Sequence, residues 1–462
     1  MKRTKVIGLF LLALTVSVWA GGNTATTRTQ PSTTQTPRVA GVDLSGLNVV
    51  VGNWWDDWDV NTRKPASAEE ERTLEWRRKI QNDYNFKMRE ANIAGWAEMQ
   101  ELASTSIMAG SPMASIFVLQ PNWALALYNQ SLFYPVSDTG VDFSSTSPVE
   151  WNQAVKDTFT FNGKVYAFAV GYGTSQHGSG VYFNKRIFQE AGIDPALPYD
   201  MQKAGTWTWD AFLDLCKRLT RDINNDGIID TYALTADLSN DILETVVASN
   251  GAQYVDKDAT GKFINATGKP EFLQALQYCV QLKNEGVLMP RPADSEWNWY
   301  QPMFHDGRVA MRVSAQYVAG ELGDMADDWG FVLFPKGPNV SDYKYSEDEN
   351  VYVIPRTFSA ADANKIMQAF ILWSTPAPGN DGPDAWKAGQ YSRYRDARAV
   401  DETLELMRNP SRSMMKYATL IPGLNTGDIA WNMWNEGQDP AQLIESVSQS
   451  WNSIINEANR IQ

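Results

Sequence analysis

From residue 47 onward, apolar runs of strand length alternate with amphipathic stretches of helix length, and this constrains the fold more than any other feature. "LNVVVGNW" (47–54) is a short β-branched run that ends in a turn, the pattern of a buried strand. Ser67 with Glu70 three residues on reads as a capping box, opening a helix through Trp76 and Ile80. "NFKMREANI" (85–93) is the next strand, a helix follows through Met99, Leu102 and Ile107 to Gly110, and "ASIFVL" (114–119) is a third strand. Strands separated by helices predict a mostly parallel sheet covered on both faces. In such sheets ligands sit beyond the carboxyl ends of the strands. That singles out "WWDDW" (54–58) and "QPNW" (120–123).

At 462 residues the chain is too long for one ordinary core, so two lobes are expected. Its 40 basic and 54 acidic residues give a net charge of −14, which repels phosphate backbones and argues against nucleic acid as a partner. Trp, Tyr and Phe number 18 each, and that many Trp exceeds what a core needs. Indole faces suit sugar rings as well as core packing, and packing accounts for most of them. Lys2, Arg3 and Lys5 precede the apolar run Val6–Trp19, and Val18-Trp19-Ala20 offers a cleavage site, so residues 1–20 read as a signal peptide. Residues 21–40, rich in Thr, Ser, Gln and Pro, read as a disordered tether. No Cys precedes Cys216, so no lipid anchor is expected at the mature N-terminus of an exported, periplasmic or extracellular protein.

Catalytic motifs are sparse. The two His, His177 and His305, lack metal-ligand spacing, and no G-x-S-x-G, HExxH, phosphate loop or GxGxxG occurs, so no catalytic cofactor is expected. "DINNDGIID" (222–230) does carry alternate oxygen donors followed by Gly, as calcium loops do. The bidentate Glu of an EF-hand is missing, since Ala233 stands at the twelfth position. The expectation is a structural calcium clamped at a helix-to-strand turn, held by Asp222, Asn224, Asp226 and Asp230 side chains and the Ile228 carbonyl. An Asx-rich turn without metal is the alternative. Cys216 and Cys279 fall on apolar helix faces and read as two buried thiols, with a disulfide as the other possibility.

Longer stretches then carry a resemblance. "NGKVYAFAVGYG", "GSGVYFNKRIFQEAGID", "TWTWDAFLDLCKRLTRDINNDGIIDTYAL" and "MFHDGRVAMRVSAQY", followed by "FVLFPKGP" and "VYVIPRTFSAADANKIMQAFILW", resemble the family 1 extracellular solute-binding proteins, the sugar-binding components of bacterial ABC importers. The resemblance spans nearly the whole mature chain. It implies a two-lobed α/β periplasmic-binding-protein fold, type II-like, with a ligand cleft between the lobes. The crossings are expected near 167–171, 310–314 and 351–357. One lobe would then comprise 41–168 plus 313–352, the other 169–312 plus 353–462. The chain departs from the family in "QPNW", where an Asp is usual.

By the same resemblance the cleft draws on Trp54, Trp55 and Asp56, on Gln120, Asn122 and Trp123, and on Tyr172, Gln176 and Tyr317. Trp431 and Trp434 stand at the C-terminal stacking position, and Trp297 and Trp299 are further candidates. A sugar needs aromatic platforms and fixed amide or carboxylate partners. The implied function is a monomeric, non-enzymatic binder that delivers a carbohydrate, an oligosaccharide among the options, to an ABC permease. A secreted glycan-active enzyme using the acids of "DDWD" and a ligand-dependent sensor of the same fold are the alternatives.

Overall fold

The computed structural model describes residues 42–461 except 66, 172–177, 236–239, 297–298, 348, 381 and 383. Strand β1 (Leu47–Asn53) leads to helix α1 (Ala68–Tyr84), strand β2 (Phe86–Asn92), helix α2 (Met99–Met108), strand β3 (Ile116–Leu119) and helix α3 (Pro121–Asn129). The Ser67 hydroxyl accepts from the Glu70 amide at 3.1 Å, as the capping signature requires, while the Glu70 carboxylate turns to Arg63 at 2.9 Å. β1 pairs in parallel with β2 and β3, so the expected parallel sheet forms.

A second sheet is built around β4 (Ser179–Asn184), flanked by β5 (Met311–Ala315) and β6 (Trp329–Leu333). Both neighbours run antiparallel to it, unlike the parallel arrangement expected of the alternation. The strand expected after the 222–230 turn is short: Leu234–Thr235 pairs with Leu288–Met289. β7 (Val351–Val353) then returns to the first sheet, antiparallel to β3. Helix α4 (Ala360–Ser374) packs its Ile366, Phe370 and Trp373 into the same core as β1 and α1.

These pairings correct the expected lobe boundaries. Residues 311–315 lie inside the second sheet rather than at a crossing, and 329–333 hydrogen-bond there too, so 313–333 does not belong with the first sheet. Helix 360–374, given to the second lobe, packs on the first sheet. Strand pairing decides the first and core packing the second, and the apolar pattern of a segment specifies neither.

β3 joins two cores. Its side chains alternate across the sheet, so Ile116 and Val118 enter a core with Val49, Leu74 and Phe370, while Phe117 and Leu119 enter a second one with Trp123 and the buried face of the second sheet. A strand buried on both faces reads as an unbroken apolar run, as 116–119 does. Many Trp are structural: Trp207 and Trp329 are fully buried, and Arg77 sits 4.7 Å and 4.2 Å from the rings of Trp58 and Trp373. Cys216 and Cys279 are free and buried, and burial pushes both thiols up, which keeps them unreactive. Among the described residues no helix is long and apolar enough to cross a membrane.

Candidate functional site: a cleft between the two sheets

The loop after β1 is fixed by its last residue. Asn53 is buried; its amide donates to the Asp56 carbonyl at 2.9 Å, and its Oδ1 accepts from the Trp55 and Asp56 amides at 3.0 and 3.2 Å. This Asx turn holds Trp54 and Trp55 at the sheet's carboxyl edge. Their rings meet edge to face at 5.0 Å, and Trp54 leans on buried Trp123 at 5.4 Å. Trp96, from the loop after β2, rests 5.4 Å from Trp123 on its other side. After β3, Pro121 starts α3, so Gln120 and Asn122 stand at a helix N-terminus.

These residues form one wall of a cavity of about 930 Å³. Opposite them stand Tyr317 and Glu321 after β5, and a loop that includes Thr419, Asn425 and Thr426. Val170, from the segment that leads to the second sheet, and Tyr352 on β7 also line it, and so do Glu349 and Lys416. Burial raises the Tyr352 hydroxyl well above its ordinary range, with Glu90 and Glu349 adding to the shift, so it stays protonated as a donor. The Lys416 ammonium lies 2.8 Å from the Glu244 carboxylate.

The cavity thus brings together Trp54, Trp55, Gln120, Asn122 and Tyr317 of the expected set. Trp123 stands behind Trp54 as support. Asp56 does not line the cavity; its carboxylate accepts from the Asp57 amide at 2.9 Å. Asp57 accepts from the Asn92 amide at the end of β2 and Asp59 from the Asn61 amide, so the "DDWD" acids brace the loop and its turns. Trp299 is buried away from the cavity. The C-terminal aromatics also miss it: on helix α5 (Gly427–Trp434), Trp431 is 51% exposed, and Trp434, only 7% exposed, packs in the core. Helical spacing alone would set the two near one face, since they lie three apart, and it is the packing of Trp434 in the core that separates them. Tyr172, Gln176 and Trp297 lie outside the described residues. Trp96 was missed, although the strand-end rule that selects 54–58 and 120–123 also selects the loop after β2. Glu321, Glu349 and Lys416 carry no local signal.

The loop 222–230 closes on itself. Asp222 accepts from the Asp226 and Gly227 amides at 3.2 and 2.8 Å, Asp226 from the Ile228 amide at 2.8 Å, and Asp230 from the Ile223 amide at 2.6 Å. Gly227 takes the left-handed conformation at φ 87°. Among the described residues no group of three or more His, Cys, Asp or Glu side chains is arranged to hold a metal ion.

The family model described as bacterial extracellular solute-binding protein matches residues 75–380. Among curated proteins none matches. Of solved structures, the cyclic alpha-maltosyl-1,6-maltose binding protein from Arthrobacter globiformis is similar with a TM-score of 0.63 and 14% identity, covering 89% of this chain and 99% of that one. UgpB from Mycobacterium tuberculosis, solved in complex with glycerophosphocholine, gives 0.62 and 15%, covering 84% and 95%. The ABC substrate-binding protein Lmo0181 from Listeria monocytogenes, in complex with cycloalternan, gives 0.59 and 15%, covering 90% and 98%. At these identities the likeness shows the fold, the two-lobed one of periplasmic binding proteins. With the matched model spanning well over half its length, the chain belongs to the bacterial extracellular solute-binding proteins.

Proposed function

We propose that this protein captures a carbohydrate in the cleft between its lobes and hands it to the permease of an ABC importer, without turning it over. One observation carries the reading: a cavity of about 930 Å³ walled by the indoles of Trp54, Trp55 and Trp96 and faced by hydroxyl and amide groups of Gln120, Asn122, Thr419 and Asn425. Indole faces match the C–H faces of sugar rings, and the polar groups match their hydroxyl rims. The similar protein solved in complex with cycloalternan, and the one named for binding cyclic alpha-maltosyl-1,6-maltose, support the same ligand class. Membership of an extracellular family implies export, and the charged and apolar segments of residues 1–20 supply a signal peptide for it.

A glycan panel scored by thermal shift tests the reading, because a ligand bound only by the folded state raises the melting temperature by mass action. A rise with one or more glycans and no cleavage product is expected; cleavage of a bound glycan favours the enzyme instead. A structural calcium in the 222–230 loop is a separate proposal, supported by the alternate oxygen donors and weighed against the loop's own hydrogen bonds. Calorimetric titration of chelated protein decides it, and absence of heat rules the metal out.

A further inference from the structure

The cleft has a charge pattern that its aromatic walls do not require. Glu321 stands at its mouth after β5 and Glu349 beside β7, and both line the cavity. Among the described lining residues Lys416 is the only cation, and no arginine is present. Lys416 is already engaged: its ammonium and the Glu244 carboxylate are 2.8 Å apart, with the two side chains 16% and 12% exposed. Thr426, which also lines the cleft, donates its hydroxyl to the same Glu244 carboxylate at 3.3 Å. The wall and its immediate support therefore set three carboxylates against one ammonium.

Two consequences follow for a ligand. An acidic sugar binds through guanidinium or ammonium partners, ideally in bidentate geometry. Here it would meet like charge in a partly desolvated cavity, where Coulomb terms are several times stronger than in water. A protonated amine meets the opposite situation: the carboxylates share the cavity lining with Trp54, Trp55 and Trp96, whose negative ring faces attract cations as well as sugar rings.

We propose that the cleft selects glycans by charge, taking saccharides that bear protonated amines, of the 2-amino-2-deoxy class, and rejecting uronates, with Glu321 and Glu349 setting the preference. This rests on the carbohydrate reading above. Calorimetric titration at about pH 6, below the ordinary range of an amine, tests it with three trimers: glucosamine, N-acetylglucosamine and galacturonate. The first two share a ring and differ in charge.

The expected result is binding of the amine trimer about tenfold tighter than the acetylated one, roughly one factor of ten for 1.4 kcal/mol, and no heat from the uronate. The preference should shrink in about 0.5 M salt, where screening acts over only about 4 Å. It should shrink likewise in E321Q/E349Q, whose ligand-free melting reports whether the variant is folded. Uronate binding as tight as the amine overturns the charge selection, and so does an amine preference that survives in the folded double variant. If no neutral or charged glycan binds at all, the carbohydrate reading beneath it falls instead.

Discussion

Two tryptophans on opposite sides of a burial boundary make the most direct test of the site. Trp55 projects into the cleft from the turn that Asn53 ties and is largely open to solvent, so Trp55→Ala should leave ligand-free melting nearly unchanged. Glycan affinity should fall by roughly 1–3 kcal/mol, by analogy with base–aromatic stacking. Trp434→Ala should do the reverse, destabilising the fold by about 3–5 kcal/mol with affinity intact in the folded fraction. Calorimetry and melting on both variants separate the outcomes; a Trp434→Ala protein that melts normally but loses its ligand would refute this placement. A second residue-scale expectation concerns pH. His305 Nε2 lies 3.0 Å from Asp324, whose carboxylate raises the imidazole's pKa, while the imidazole lowers that of Asp324. The raised His contributes stability that is full below its unfolded value of about 6.5 and is lost as pH rises through the folded one. The lowered Asp contributes above about pH 3.9 and loses it as pH falls. His305→Gln should therefore narrow the melting difference between mildly acidic and alkaline buffer, by a small amount because the pair is exposed. Unchanged pH dependence in the variant would remove the pair from the account. The sequence pointed to Trp54, Trp55, Gln120 and Asn122, which line the cavity, because strand ends locate loops. It did not separate Trp431 and Trp434 from the cleft, because a Trp signals aromatic area and not the direction in which it is spent.

At the scale of elements, β4 has the least tolerance. A Cβ on Gly180 would lie 2.5 Å from the Val332 carbonyl oxygen and 2.6 Å from the Phe331 ring, so β6 approaches β4 at this residue only because it lacks a side chain. Gly180→Ala should destabilise the protein by about 1–3 kcal/mol or more, since backbone must shift to make room. A denaturant midpoint equal to the parent's would show that the strands separate at no cost. The first sheet was legible in the sequence, because β1 and β3 are apolar and β-branched, β2 alternates buried apolar with exposed polar residues, and the Ser67 cap marks the start of α1. The second sheet was not. Its strands are drawn from positions 179, 311 and 329, and no local pattern states that 311–315 and 329–333 flank 179–184 in antiparallel register.

Across the whole molecule, the cleft draws on both sheets, so we expect a ligand that touches every wall to draw the lobes together and favour a closed arrangement over an open one. Only such differential contact can shift the equilibrium. Small-angle scattering should show the radius of gyration falling when a binding glycan is added, and the fall should be lost in Trp55→Ala at the same glycan concentration. A bound protein with an unchanged radius would mean that the ligand sits on one lobe alone. The return of β7 to the first sheet bears on how the chain acquires its structure. Val351–Val353 supplies the partner for Phe117–Leu119, so that edge of the first sheet stays uncovered until most of the polypeptide has been synthesised. Closing so large a loop raises contact order and slows folding. An unpaired edge that persists in the meantime invites wrong pairings. The same delay leaves the nascent chain without a finished lobe for most of its synthesis, which suits the export that membership of an extracellular family implies.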